Sequence, residues 1–146
     1  MTEKRGNNRV APEPSDAGDP LTTIAFAHPP EPGLISVIVP CGPDFALLET
    51  TLRSIRNGET VGIAFEILVA NDGGHEGVAR LCRAYEAREI RIVPNAGPAN
   101  ARNAAMAQAR GDVLAFTDAD AAPAADWLTI ARDAIKGADY VAGDVR

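Results

Sequence analysis

Apolar residues follow two alternating patterns from residue 34 onward. Continuous apolar runs rich in β-branched residues, such as residues 34–39 and 65–70, are typical of strands buried on both faces of a sheet. The segments between these runs carry apolar residues three and four positions apart, which predicts amphipathic helices. Regular alternation of the two patterns predicts an α/β fold, with a mostly parallel sheet and helices on both of its faces.

The pattern predicts five strands and four helices. Strands are expected over residues 34–39, 65–70, 90–93, 113–116 and 139–142, and helices over residues 43–58, 78–85, 98–109 and 123–136. Pro40 is expected to stop the first strand. Pro98 suits the first turn of the third helix, and Gly111 follows its end. The sheet is expected to end at the fifth strand, so the fold looks truncated at Arg146.

Residues 1–33 have a different composition from the rest of the chain. They are rich in Pro, Gly, Asn, Asp and Glu, which predicts a flexible leader. The folded domain is therefore expected over residues 34–146, a length that suits a single core.

The overall charge and the cysteines narrow the class of protein. A formal net charge of −6 argues against non-specific binding to nucleic acid, which needs a basic surface. Cys41 and Cys82 lie far apart without a CxxC spacing, which predicts reduced thiols in a cytosolic protein. No apolar run approaches the roughly 20 residues that cross a bilayer, and the N-terminus lacks the apolar core of a signal peptide. A cytoplasmic location is expected.

A loop follows each of the first four predicted strands. In parallel α/β sheets, ligands bind beyond the carboxyl ends of the strands. The loops expected at this edge are residues 40–42, 71–74, 94–97 and 118–120. The sequence therefore predicts one functional edge.

Asp118 and Asp120 give the strongest chemical signal. They end an apolar strand two positions apart, so both side chains can point toward one place. Paired carboxylates repel each other but suit a divalent cation. The alternative is that Asp120 caps the helix expected from Pro123, which accounts for only one of the two carboxylates.

Asp72 and Arg102 lie at the same predicted edge. Asp72 could accept a hydrogen bond from the N–H of a nucleobase. The alternative is that residues 71–74 simply form a tight turn, which their residue types favour. Arg102, in the first turns of the third helix, could neutralise a phosphate together with the helix start. The alternative for Arg102 is a surface ion pair with a neighbouring carboxylate.

Several blocks of sequence, taken in order, resemble those of a known family. They are residues 35–40, 66–73, 95–97, 101–103 and 111–120. On these blocks, residues 34–146 resemble the N-terminal, donor-binding half of a family 2 glycosyltransferase with the GT-A (Rossmann-like) fold. The resemblance implies transfer of a sugar, such as a hexose, from a nucleotide-diphosphate sugar to an acceptor hydroxyl, usually with inversion.

The resemblance also implies roles for individual residues. Pro40, Asp72, Arg102 and Asp118 would belong to the nucleotide-sugar site, with Asp72 at the base and Arg102 near the nucleotide. Asp120, with Asp118, would coordinate Mn²⁺ or Mg²⁺ bridging the diphosphate, where a cation acts as a Lewis acid on the leaving group. The general base that activates the acceptor would be expected beyond Arg146.

Two alternatives to an active transferase remain open. The chain could be a nucleotide-sugar-binding remnant without turnover. The chain could also be a phosphatase of the aspartate-nucleophile type. Such phosphatases carry Asp-x-Asp after their first strand, whereas the motif of this chain follows the fourth predicted strand. The acceptor, whether saccharide, lipid or protein, is not specified. A sheet ending at the fifth strand would leave an edge open to self-association, and a full-length relative could work at the inner face of the membrane.

Overall fold

The computed structural model describes residues 24–143, in which strands and helices alternate as the hydrophobic pattern predicts. The strands are β1 (Glu31–Cys41), β2 (Ala64–Asp72), β3 (Arg88–Ile92) and β4 (Gly111–Phe116). The helices are α1 (Leu48–Arg56), α2 (Glu76–Ala84), α3 (Pro98–Ala107) and α4 (Trp127–Ala134). The leader predicted for residues 1–33 falls largely outside the described residues.

The four strands form one parallel sheet in the order β3-β2-β1-β4. β1 lies inside the sheet, where Val37 pairs with Ile67 on one side and with Ala115 on the other. The chain builds outward from β1 to β3 and then returns across the sheet to place β4 on the opposite side of β1. Such a reversal of strand order is where open parallel sheets bind ligands.

Helices cover both faces of the sheet, as predicted. On one face, Leu48 and Leu52 of α1, Val78 of α2 and Leu128 of α4 pack with the sheet in a single core. On the other face, α3 packs against Ile38, Leu68 and Ala70 through small residues. These small residues are Ala101 and Ala105, and both are fully buried. Their size lets α3 approach the strands closely, which brings its N-terminus next to the carboxyl edge of the sheet.

The predicted fifth strand is wrong for the described residues. Residues 138–143 adopt no regular structure, and Tyr140 is 84% exposed. A strand needs a neighbour for its N–H and C=O groups, and this segment does not pair with β4. Within residues 24–143 the sheet therefore ends at β4 on this side.

Two helices begin later than their prolines predict. α1 begins at Leu48 rather than at Pro43, and α4 at Trp127 rather than at Pro123. Before α1, the Phe45 ring lies over Gly77, where a Cβ atom would come within 2.6 Å of the ring. This packing against α2 holds the segment as a loop.

The first strand is longer than predicted at both ends. Glu31 pairs with Gly111 of β4, which starts β1 three residues early. β1 also continues through Pro40, because pairing with β4 stops at Ile38 and only the β2 side of the strand is still paired there.

A buried carboxylate joins the strands near their amino ends. Glu66, 9% exposed, accepts hydrogen bonds from Ser36 Oγ at 2.7 Å, from the Arg110 N–H at 2.8 Å and from Arg88 at 2.8 Å. Burial by itself raises the pKa of Glu66, but these hydrogen bonds outweigh it and lower the pKa to about 2. The ionised carboxylate therefore connects β1, β2, β3 and the start of β4.

No helix among residues 24–143 combines the length and the apolar character that a membrane span requires.

Candidate functional site

A pocket of about 480 Å³ opens at the carboxyl edge of the sheet. The end of β2, the loops after β1, β3 and β4, and the start of α3 contribute to its walls. All five residues predicted for the site line it: Pro40, Asp72, Arg102, Asp118 and Asp120. The parallel topology brings them together, because the carboxyl ends of parallel strands meet at one edge.

The two aspartates after β4 lie on either side of an inward-facing alanine. Ala119 packs against the main core, while Asp118 and Asp120 are exposed in the pocket. The alternating directions expected of a strand end are therefore realised. Both carboxylates stand free of the core and can approach a common ligand.

The segment carrying these aspartates is fastened to α1 by one hydroxyl group. Thr51 is fully buried, and its Oγ1 lies 2.9 Å from the carbonyl oxygen of Ala119 and also within hydrogen-bond distance of that of Ala121. A backbone turn from the Ala121 N–H to the Asp118 carbonyl oxygen at 3.2 Å closes the segment. The positions of Asp118 and Asp120 are thus set by a helix that lies far away in sequence.

Asp120 is not a helix cap. α4 begins at Trp127, and Asp126 occupies the N-cap position without a side-chain capping bond. The capping hypothesis for Asp120 is therefore wrong, because the helix starts seven residues later than this aspartate. Its carboxylate has no hydrogen-bond or ion-pair partner among the described residues.

Arg102 pairs with a carboxylate of the same pocket. Its Nη2 lies 3.0 Å from Asp118 Oδ1, and the two side chains are 40% and 66% exposed. The sequence left open whether Arg102 faces a ligand or a neighbouring carboxylate. The structure shows the ion pair, and the partner is itself one of the predicted site residues.

Asp72 ends β2 with both carboxylate oxygens engaged. Oδ1 accepts a hydrogen bond from the Ala96 N–H at 2.7 Å, and Oδ2 accepts one from the Gly97 N–H at 2.9 Å. The residue is 3% exposed. The turn expected after β2 is also present, because Asn71 Oδ1 accepts a hydrogen bond from the His75 N–H at 2.9 Å.

The N-terminus of α3 borders the pocket. Gly97 occupies its N-cap position with φ 87° and ψ 161°, a backbone conformation that is essentially restricted to glycine. The first intrahelical bond runs from the Ala101 N–H to the Gly97 carbonyl oxygen at 2.9 Å. The N–H groups of Ala99 and Asn100 belong to the first turn, have no partner within the helix and favour an anion.

Carboxylates outnumber cationic groups in the pocket. Its lining includes Asp44, Asp72, Asp118 and Asp120 but only one basic residue, Arg102. No group of three or more His, Cys, Asp or Glu side chains that could hold a metal ion occurs among residues 24–143. Asp118 and Asp120 nevertheless fit Mg²⁺ or Mn²⁺, because such ions are commonly held by one or two carboxylates together with substrate phosphates.

The thiol in the pocket wall is unsuited to nucleophilic catalysis. Burial, and then the charge of Asp44, raise the pKa of Cys41 to about 11. Burial also raises the pKa of Cys82 to about 12. Both thiols are free and buried, and with these pKa values they are protonated at neutral pH.

Sequence reasoning missed several residues of the site. Asp44 and Leu47 line the pocket because the segment before α1 is a loop rather than helix. Thr51 looked like an ordinary helix residue, and its isolated polar character on the buried face was the available signal. Asn95 also lines the pocket and lies 3.4 Å, through Nδ2, from the Asp72 carbonyl oxygen.

Comparison with known families identifies the family of this chain. The family model described as glycosyl transferase family 2 matches residues 36–146. The chain belongs to glycosyl transferase family 2. The matched region contains every residue of the pocket described above.

Two curated glycosyltransferases are similar in sequence to this family 2 chain. Glycosyltransferase AglE of Haloferax volcanii is 30% identical over 118 residues, which are 76% of this chain and 39% of AglE. The uncharacterized glycosyltransferase YfnE of Bacillus subtilis is 35% identical over 97 residues, which are 64% of this chain and 24% of YfnE. The chain thus spans well under half the length of these relatives.

Solved structures show the same fold. TarS residues 1–349 from S. aureus superimposes with a TM-score of 0.64 at 25% identity, covering 70% of this chain and 32% of that one. The mannosyltransferase PcManGT from Pyrobaculum calidifontis, solved with GDP-Man and Mn²⁺, gives a TM-score of 0.61 at 26% identity, covering 69% and 32%. The parallel four-stranded α/β sheet matches these GT-A neighbours.

Proposed function

We propose that this chain binds a nucleotide-diphosphate sugar, which is the donor substrate of a metal-dependent, inverting glycosyltransferase. The observation that carries the proposal is the meeting of Asp118, Asp120, Arg102 and the start of α3 in one pocket at the carboxyl edge of the sheet. Membership of the family and the GDP-Man and Mn²⁺ of the PcManGT structure support it.

The diphosphate end of the donor is assigned to the β4 side of the pocket. Asp120 and Asp118 would hold Mn²⁺ or Mg²⁺, which supplies Lewis-acid stabilisation of the leaving diphosphate. Arg102 and the first-turn N–H groups of α3 would share the remaining phosphate charge. On binding, Arg102 would exchange its contact with Asp118 for a phosphate oxygen.

The nucleoside end is assigned to the β1 and β2 side. Pro40 and Asp72 border this part of the pocket. The buried Asp72 carboxylate already accepts two backbone hydrogen bonds, but an ionised carboxylate has about four acceptor positions. A base N–H would be a third donor to this carboxylate, reached through the 3% of the residue that is exposed.

We propose that the general base that activates the acceptor lies outside residues 36–146, the region that the family model matches. The acceptor, a saccharide, lipid or protein hydroxyl, is assigned to a region corresponding to the part of the relatives that this chain does not span.

The cytoplasmic location remains a prediction. We also propose self-association through β4, which is an edge strand with a 46% exposed Phe116; light scattering on the purified chain tests this.

Calorimetric titration with UDP, GDP and their sugar conjugates, with and without Mn²⁺, tests the proposal. Binding is expected to be much tighter in the presence of the metal. Asp120→Asn is expected to lower the affinity by at least about tenfold, because it removes a charged metal ligand. Asp126→Asn is the matched control, since Asp126 is exposed and outside the pocket.

Two results would overturn the assignment. Nucleotide binding that ignores the metal would remove the role given to Asp118 and Asp120. Equal effects of Asp120→Asn and Asp126→Asn would mean that the pocket is not the binding site. Binding without transfer to any acceptor would instead favour a binding remnant.

A further inference from the structure

We infer that Asp72 is a positioning residue, which shapes the phosphate end of the site by holding the loop of residues 95–97. The inference rests on the proposed donor site and deepens it. It adds a second role to the base contact proposed above, because the bonds that Asp72 makes in the structure go to the backbone that leads into α3. Three observations carry it.

The first observation is that the carboxylate is committed at both oxygens. Oδ1 and Oδ2 accept separate N–H groups, from Ala96 at 2.7 Å and from Gly97 at 2.9 Å. A buried ionised carboxylate needs such partners, because desolvation without them is costly. Asp72 is 3% exposed, so most of its surface contacts the protein rather than the pocket.

The second observation is that the loop cannot take this shape without glycine. Gly97 donates to Asp72 from φ 87° and ψ 161°, where a Cβ atom is strained whatever the surrounding space. Although nothing lies within 4 Å of a Cβ atom built there, the backbone angle alone restricts the position. The hydrogen bonds to the Asp72 carboxylate stabilise the backbone conformation of the loop that glycine at position 97 allows.

The third observation is that this loop is the beginning of α3. Gly97 is the N-cap residue, and its carbonyl oxygen accepts the first helical bond from Ala101. Asn100 adds a bond from Nδ2 to the Ala96 carbonyl oxygen at 2.8 Å. Arg102 follows in the same helix, one residue after the fully buried Ala101. Asp72 thus sets where the first-turn N–H groups and Arg102 stand relative to Asp118.

The test separates a positioning residue from a base contact by using ligands that lack a base or lack phosphate. Affinities for inorganic pyrophosphate with Mg²⁺, and for uridine and guanosine, are measured for wild type, Asp72→Asn, Gly97→Ala and the double variant. A carboxamide presents a donor to one of the two N–H groups, so Asp72→Asn loosens the loop. Both single variants are expected to weaken pyrophosphate binding by about tenfold, and the double variant by no more than either single one.

Amide hydrogen exchange gives a readout that does not depend on any ligand. Exchange at residues 96–102 is expected to accelerate in Asp72→Asn and in Gly97→Ala, while the amides of β1 stay protected. Gly137→Ala is the matched control, because Gly137 also has a positive φ of 78° and open space around it but lies outside the pocket.

The inference would be overturned if Asp72→Asn weakened nucleoside binding alone and left pyrophosphate affinity unchanged. It would also be overturned if Gly97→Ala bound pyrophosphate like wild type, or if exchange at residues 96–102 did not change. A wild-type chain that bound none of these probes would refute the proposed function. The exchange measurement would still decide whether Asp72 holds the loop.

Discussion

Arg102 donates a hydrogen bond to the carboxylate of Asp118 across 3.0 Å, so two residues proposed for the diphosphate site are paired with each other. The pair joins α3 on one face of the sheet to the loop after β4. Because both side chains are substantially exposed, their attraction is screened by solvent and contributes little to folding.

Replacing Arg102 should therefore separate affinity from stability. Arg102→Ala is expected to weaken binding of a nucleoside diphosphate with Mn²⁺ by about tenfold, because a charged phosphate contact is lost. The melting temperature should change by no more than in Arg83→Ala, which removes an exposed ion pair to Glu76 of the same 3.0 Å length outside the pocket. Calorimetry and thermal unfolding measure the two effects. Unchanged affinity would show that Arg102 is only a surface ion-pair partner.

Removing the Thr51 hydroxyl should disturb the loop that carries Asp118 and Asp120 without leaving a cavity in the core. Thr51→Val keeps the shape of the side chain but leaves the carbonyl groups of Ala119 and Ala121 without their buried partner, at a cost of about 1–3 kcal/mol. Metal-dependent nucleotide affinity should fall as well. Thr129→Val is the control, since its hydroxyl donates to the Glu59 carbonyl oxygen outside the pocket. Equal nucleotide affinity in the two variants would contradict the proposed link.

Acid should destabilise the fold through Glu66. Its pKa falls from 4.5 to about 2 on folding, so the folded state binds the proton more weakly than the unfolded state does. The resulting stability, about 3 kcal/mol, is complete above pH 4.5 and is lost as the pH falls toward 2. Denaturant unfolding between pH 7 and pH 2 should show this dependence, and Glu66→Gln should flatten it while lowering stability at pH 7.

Glu76→Gln serves as the control for that experiment. Glu76 is exposed on α2 and is paired with Arg83, and its hydrogen bond from Arg83 also lowers its pKa. Its replacement should leave stability at pH 7 nearly unchanged. A Glu66→Gln protein with the wild-type pH profile would show that the buried network does not control acid stability.

Gly111 should not tolerate a methyl group. A Cβ atom there would lie 2.7 Å from the Ser36 N and would press against the Leu34 carbonyl oxygen, where β1 and β4 meet. Gly111→Ala is therefore expected to cost about 1–3 kcal/mol, measured by denaturant unfolding. Gly143→Ala, at a site with nothing within 4 Å of the added atom, should cost far less. A stability for Gly111→Ala equal to that of the control would argue against this close approach of the strands.

The two thiols should be inert in the folded protein. With pKa values raised to about 11 for Cys41 and about 12 for Cys82, almost no thiolate exists at pH 8, and the thiolate is the reactive form. Reaction with a disulfide reagent should be slow in native buffer and should reach both thiols rapidly in denaturant. Rapid labelling of native protein would contradict the burial of these cysteines.

The presence of the four observed strands and the gathering of the site residues at one edge could be predicted from the sequence. Hydrophobic runs indicated the four observed strands, and parallel order alone placed Asp72, Arg102, Asp118 and Asp120 at one edge. These inferences succeed because burial leaves a periodic record in the chain. The site as a functional assignment stays a prediction.

Contacts between distant elements could not be predicted. Thr51 meets Ala119 across 68 positions of sequence, and Asp72 meets Ala96 across 24. Neither bond leaves a local pattern, because both depend on how helices and strands pack. The same limit explains the loop at Phe45, where contact with α2 overrides the helix start expected at Pro43, and the missing strand over residues 138–143.

We expect the surplus of carboxylates in the pocket to reverse the usual effect of ionic strength on the binding of a nucleotide without metal. A basic phosphate site loses affinity as salt rises, because screening weakens attraction. Here the lining includes Asp44, Asp72, Asp118 and Asp120 but a single guanidinium, so these carboxylates would repel a nucleotide without metal, and screening would relieve that repulsion. Residual binding of UDP or GDP in a chelator should therefore strengthen, rather than fade, as salt is added.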